Sequence, residues 1–120
     1  MLQASARDWN RGDLDGFLAS YQDSVATTFV TPTGLIHGVG AIRDRYRAGY
    51  WKQGGLPPQL LRFDELVVRP LGPDHALVTG RYILTERTGG AAAGQGRFSL
   101  VLRRTPAGWK IVHDHSSASS

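Results

Sequence analysis

Apolar residues recur along this chain first with a helical period and then with a strand period. Leu2, Ala6 and Trp9 fall near one face of a short helix over residues 2–11, which Gly12 stops. Asp13 is placed to cap a second helix, where Leu14, Phe17, Leu18 and Tyr21 form one stripe at i, i+3, i+4 and i+7. Residues 25–31 are rich in β-branched side chains and read as a strand. Pro32-Thr33-Gly34 turns the chain into a short return strand, Leu35-Ile36-His37. After Gly38 and Gly40 a third helix is expected over 41–52, with Ile42, Tyr46, Gly49 and Tyr50 on one stripe and Arg43, Arg47 and Trp51 beside it. Gly54-Gly55-Leu56-Pro57-Pro58 ends it as a linker. Three long strands follow, at 59–71, 75–88 and 95–105, joined by Gly72-Pro73-Asp74 and by a mobile Gly89–Gly94 loop. Pro106-Ala107-Gly108 leads into a last strand, 109–117, and residues 118–120 read as a frayed tail.

Two helices, a strand pair, a third helix and four antiparallel strands imply an α+β layer fold in a single domain over 1–120. The third helix must cover one face of a twisted sheet. A curved sheet with helices across its concave face leaves a cone with a pocket inside, the usual place for a ligand.

Composition narrows the function classes. With 41% hydrophobic and 20% charged residues the chain is ordinary globular protein. It has no cysteine, so disulfides and thiolate chemistry are excluded. No apolar run is long enough to span a bilayer and the first eight residues lack a signal-peptide core, so a cytoplasmic protein with no membrane partner is expected. The net charge of +4 is spread along the chain without a block or motif, which argues against nucleic acid as a partner.

Three stretches carry a family resemblance: Trp9-Asn10-Arg11-Gly12-Asp13-Leu14-Asp15-Gly16-Phe17, the Phe29–Gly34 turn with Gly38–Tyr46, and Gly108-Trp109-Lys110-Ile111-Val112-His113-Asp114-His115-Ser116. Together they resemble the nuclear transport factor 2-like superfamily, also called SnoaL-like or ketosteroid-isomerase-like. The last stretch is similar to the subgroup of the calcium/calmodulin-dependent kinase II association domain. The resemblance implies a cone-shaped α+β barrel, a homodimer packed through its sheet, and no cofactor. It specifies fold better than reaction.

The candidate chemistry sits on the last strand and the third helix. Strict alternation puts Trp109, Ile111, His113 and His115 on one face and Lys110, Val112, Asp114 and Ser116 on the other. His113 and His115 are close enough to share a metal, but the sequence offers no third ligand; the alternative is packing with Trp109 at a sheet face or dimer interface. The resemblance turns Ser116 inward, and Asp114 with it. Desolvation would raise the pKa of an inward Asp114 and a nearby arginine would lower it, so it is a candidate general base; the alternative is a structural carboxylate bonded to Tyr or Arg. Arg43, Tyr46 and Tyr50 line one helix face, where Arg43 can clamp a carboxylate and a tyrosine can donate to an oxyanion; the alternative is two core tyrosines and a surface cation. The resemblance also turns Tyr82 and Ser99 inward, at positions where the kinase domain has arginines, which argues against a pocket for anions of that kind. Ketosteroid isomerases carry a base aspartate where this chain has Thr31, and a hydroxyl cannot replace it at neutral pH.

The sequence therefore supports a small-molecule-binding protein with a hydrophobic pocket lined by Trp9, Tyr21, Phe29, Arg43, Tyr50, Ser99 and Ser116. Its enzymatic form is a SnoaL-like isomerase or cyclase using Asp114 with Tyr46 or Tyr82. The competing reading is a non-catalytic assembly module with Trp109, His113 and His115 at its interface.

Overall fold

The computed structural model describes residues 1–51 and 56–119. Its elements are α1 (Leu2–Asn10), α2 (Leu14–Leu18), β1 (Thr28–Thr31), β2 (Gly34–His37), α3 (Val39–Tyr50), β3 (Gln59–Pro70), β4 (His75–Glu86), β5 (Ala92–Thr105) and β6 (Gly108–Ala118). The strands form one sheet in the order β2-β1-β6-β5-β4-β3. β1 runs parallel to β6, and every other neighbouring pair is antiparallel. The fold class is α+β. The expected barrel is instead a curved sheet left open, with β2 and β3 as its free edges.

Several boundaries move for identifiable reasons. Asp13 caps α2 by accepting from the Gly16 amide at 2.9 Å, but the helix stops at Leu18, short of Tyr21. The Ile111 amide donates to the Ser20 carbonyl and the Gln22 amide to the Ile111 carbonyl, so Tyr21 leaves the helix to form a parallel bridge with β6. Val25 lies outside β1 and is 87% exposed, because residues 24–27 close a turn in which the Thr27 amide donates to the Ser24 carbonyl. β5 begins at Ala92, which shrinks the expected glycine loop to a turn closed by the Glu86 amide on the Ala91 carbonyl. The tail is held: Ala118 belongs to β6 and the Ser119 amide donates to Gln95. Lys52 and the Gly54-Gly55 part of the linker lie outside the described residues.

The helices cover one face of the sheet. Trp9 donates its ring N–H to the Gln59 carbonyl at 3.0 Å, and the Asn10 side chain pairs with the Leu61 amide and carbonyl, which ties α1 to β3. The Trp9 ring meets Phe17, Tyr46, Tyr50 and Trp51 edge-on, with centroids 4.4–5.8 Å apart. Ile42, with no exposed surface, fixes which face of α3 turns inward. Phe98, Leu100 and Leu102 of β5 and Val78 and Leu84 of β4 complete the core beneath.

Close approach at one glycine shapes the sheet. Gly96 of β5 stands opposite Tyr82 of β4 and Ala118 of β6. A Cβ there would come within 2.5 Å of the Tyr82 ring and closer still to the Ser117 carbonyl oxygen, whereas one at Gly94 would meet nothing. Gly96→Ala should lower unfolding stability by about 1–3 kcal/mol by urea titration, and Gly94→Ala should leave it nearly unchanged. Equal effects of the two substitutions would show that the crowding at Gly96 is not as described.

Candidate functional site

The site depends on an irregularity in β6. Between β5 and β6 the pairing passes from Leu102–Ile111 to Val101–His113, so Val112 has no counterpart. One extra residue in a strand reverses which side chains face inward beyond it. Ile111 and Asp114, expected on opposite faces, both line the same cavity. Trp109 and Ile111 stay on the inner side, opposite Arg104 and Leu102, while His113 and His115 pair with Val101 and Ser99 and turn outward, His115 still bordering the cavity. The face expected to join Trp109 with the two histidines as an assembly surface is thus divided between the two sides of the sheet. His113 bonds through Nδ1 to the Thr28 hydroxyl at 2.6 Å, and among the described residues no three metal-ligating side chains converge.

The cavity holds about 560 Å³, the size of a typical small-ligand pocket. Trp9, Phe17, Phe29, Tyr50, Phe63, Tyr82, Leu84, Phe98, Leu100 and Ile111 make it largely apolar. Asp114 is its one carboxylate among the described residues and is only 3% exposed. The Tyr21 hydroxyl donates to Asp114 Oδ2 at 2.6 Å and the Ser116 hydroxyl to Oδ1 at 2.7 Å. The Tyr46 hydroxyl lies 3.1 Å from that of Tyr21. Because Tyr21 has a single proton and gives it to Asp114, Tyr46 is the donor in that second bond. The result is a chain of hydroxyls, Tyr46 to Tyr21 to Asp114, on one wall of an apolar chamber.

Burial pushes the Asp114 carboxyl above its ordinary range, against the opposing pull of Tyr21, Ser116 and the nearby His113 and His115. Burial likewise pushes the Tyr21 and Tyr46 hydroxyls upward, reinforced by the charge on Asp114, so both stay protonated donors. Tyr82 is raised by burial and by Tyr50.

Of the residues singled out from sequence, Asp114, Tyr46, Tyr82, Trp9, Tyr21, Phe29, Tyr50 and Ser116 all line this cavity. Two do not. Ser99 pairs directly with Thr79, and directly paired residues share a face, so it lies on the outer side of the sheet with Val67 and Arg97. Arg43 pairs with Asp15 of α2 at 2.5 Å, away from the cavity. The basic helix residue that lines the cavity is Arg45, whose guanidinium carbon lies 5.7 Å from the Phe29 ring centroid. At 100° per residue Arg43 and Arg45 flank Tyr46 on opposite sides of α3, and Arg45 follows the buried Ile42 by three residues. Thr31 also lines the cavity, but its hydroxyl is engaged in its own turn, donating to the Gly34 carbonyl and accepting from the Thr33 and Gly34 amides.

Comparison with known proteins matches residues 1–119 to the family described as SnoaL-like domain. No curated protein matches the chain. Among solved structures, an NTF-2 like protein of unknown function from Shewanella oneidensis superposes with a TM-score of 0.78 at 25% identity, covering 97% of this chain and 92% of that one. A putative calcium/calmodulin-dependent protein kinase type II association domain from Thiobacillus denitrificans gives 0.76 at 20% identity, covering 98% and 91%. A ketosteroid isomerase-like protein from Erwinia carotovora atroseptica gives 0.70 at 20% identity, covering 98% and 90%. At these identities the last two likenesses speak to the fold. No described helix is long and apolar enough to cross a membrane.

The raised carboxyl has a defined consequence for stability. Its folded-state value lies above its unfolded one, so the stability tied to Asp114 is full below about pH 4 and is lost as pH rises through the folded value. Carboxyl-carbon NMR should give Asp114 a titration midpoint above about 4. Tyr21→Phe should move that midpoint further up, because it removes a donor that stabilises the charged form. A midpoint at or below the ordinary value, or a downward move in the variant, would contradict this electrostatic description.

Proposed function

The chain belongs to the SnoaL-like domain family, and we propose that it binds a small, mostly apolar carbonyl compound in its cavity and moves a proton on it with Asp114 as general base. The observation that carries the reading is the buried carboxylate at the wall of a largely apolar chamber. It is desolvated and raised above its ordinary range, yet among the described residues it accepts one hydrogen bond at each oxygen. A carboxylate oxygen has a second lone-pair direction, so capacity remains to take a proton from a bound ligand.

The hydroxyl chain supplies the other half of the chemistry. In the resting state Tyr46 donates to Tyr21 and Tyr21 to Asp114. In the proposed step an acidic C–H of the ligand gives its proton to Asp114, and the electron pair left on carbon spreads onto the neighbouring carbonyl oxygen. A protonated Asp114 no longer needs the Tyr21 proton and can donate to the Tyr21 oxygen instead. The chain then reverses, and the Tyr46 O–H is freed to donate to the developing enolate. One event thus makes the base neutral and frees the donor that stabilises its product. Return of the proton to a different carbon gives isomerisation; attack of the enolate carbon on a second carbonyl, whose π bond opens and whose oxygen takes the proton from Asp114, gives cyclisation. Neither outcome needs a cofactor or a net electron. The engagement of Thr31 in its own turn separates this arrangement from one with a base on the β1 turn.

The test is proton exchange rather than a guessed pathway. Cyclic ketones such as β-tetralone and indanone, incubated with the protein in D2O, should exchange their acidic C–H faster than in buffer, followed by NMR. Asp114→Asn should cut that exchange by about 10²–10⁴-fold without unfolding the chain. Tyr46→Phe should cut it by a smaller factor and leave ketone binding in place. Full exchange in Asp114→Asn would rule the base out.

A further inference from the structure

We infer that the ligand of this cavity carries a carboxylate, and that Arg45 holds this group at the cavity mouth. The inference rests on the cavity being the binding site, as proposed above, and it adds the chemical class of the ligand.

Arg45 combines a place in the cavity lining with the lack of a carboxylate partner; Arg7, Arg47, Arg69, Arg87 and Arg103 also pair with no carboxylate among the described residues, but they do not line the cavity. Arg11, Arg43, Arg62, Arg81, Arg97 and Arg104 each pair with an aspartate or glutamate. No carboxylate among the described residues pairs with Arg45. It is also the arginine that lines the cavity, resting against the buried Phe29 ring. That contact supports the stem and one face of the guanidinium and leaves its N–H edges for an acceptor. A planar, always-charged fork at a partly open mouth suits a carboxylate, which it can bind with two parallel hydrogen bonds. The cation comes from the covering helix and not from the sheet, where Tyr82 and the outward Ser99 leave no arginine in the chamber.

Charge also decides where the anionic group sits. Phe29 of β1 stands in register with Asp114 of β6, so the ring carrying Arg45 lies beside the strand position of the buried acid. A ligand carboxylate set against Asp114 would meet a like charge at low dielectric, where repulsion is strong. On the exposed Arg45 guanidinium the same group meets an opposite charge and solvent. A small aromatic or alicyclic keto acid is the class that supplies both a carbonyl for the proposed chemistry and a carboxylate for Arg45.

The experiment compares naphthoate with its neutral isostere naphthamide by isothermal titration at low salt. The chains are wild type, Arg45→Ala, Arg45→Lys and Arg43→Ala. Wild type should favour naphthoate by about ten-fold. Arg45→Ala should abolish the preference while still binding naphthamide, and Arg45→Lys should keep part of it. Arg43→Ala, an equal loss of charge from the same helix, should keep all of it. Raising the salt should erode the preference, because the mouth is solvent-exposed. Equal affinity for acid and amide in wild type, or a preference that survives Arg45→Ala, would overturn the inference and leave the cavity reading standing. Binding of neither probe would overturn both.

Discussion

The unpaired residue Val112 in β6 is the constraint on which the site depends. Without it, strand alternation would send Ile111 and Asp114 to opposite faces of the sheet. With it, an apolar wall and an acid enter the same chamber within four residues of one strand. The same segment also captures Tyr21. Backbone bonds from Ile111 to Ser20 and Gln22 pull that residue out of helical register and set its hydroxyl against Asp114. Strand irregularity, helix termination and hydrogen-bond chain are thus one local arrangement.

The energetic consequence follows from burial. An acid at 3% exposure would be costly to ionise if it were alone. Two hydroxyl donors offset part of that cost without supplying a counter-charge, so the carboxyl stays raised and responsive. An arginine against Asp114 would have made it a fixed structural anion. The cavity's cation is instead at the mouth beside Phe29, and the arginine on the other flank of Tyr46 is neutralised by Asp15. Placement of positive charge, more than its amount, separates a reactive acid from an inert one here.

Much of the fold was legible in the sequence because its periodicities are strong. The Leu14–Phe17–Leu18 stripe, the α3 stripe with Ile42 and Tyr46, and the long alternating strands correspond to real elements. Most of the aromatic lining followed from those stripes. What sequence could not give was register. The resemblance turns Ser99 inward, but Phe98, Leu100 and Leu102 occupy the buried alternate positions of β5, which puts Ser99 on the outer face with its partner Thr79. The bulge at Val112 has no glycine, proline or polar marker, so alternation counted straight through it. Spacing from the tyrosines points to Arg43, and by that criterion Arg45 does not stand out. The buried Ile42 three residues before Arg45 was the available signal, because it fixes the helix face.

The measurement that bears most directly on the central claim is the set of intermolecular NOEs from a bound indanone to the protein. A ligand in the chamber must touch both sides of the irregularity in β6. The account predicts contacts to the Ile111 methyl groups and to the Tyr46 ring in the same complex, with none to Val101 or His113. Contacts confined to Val101, His113 and Ser99 on the outer face of the sheet would contradict it.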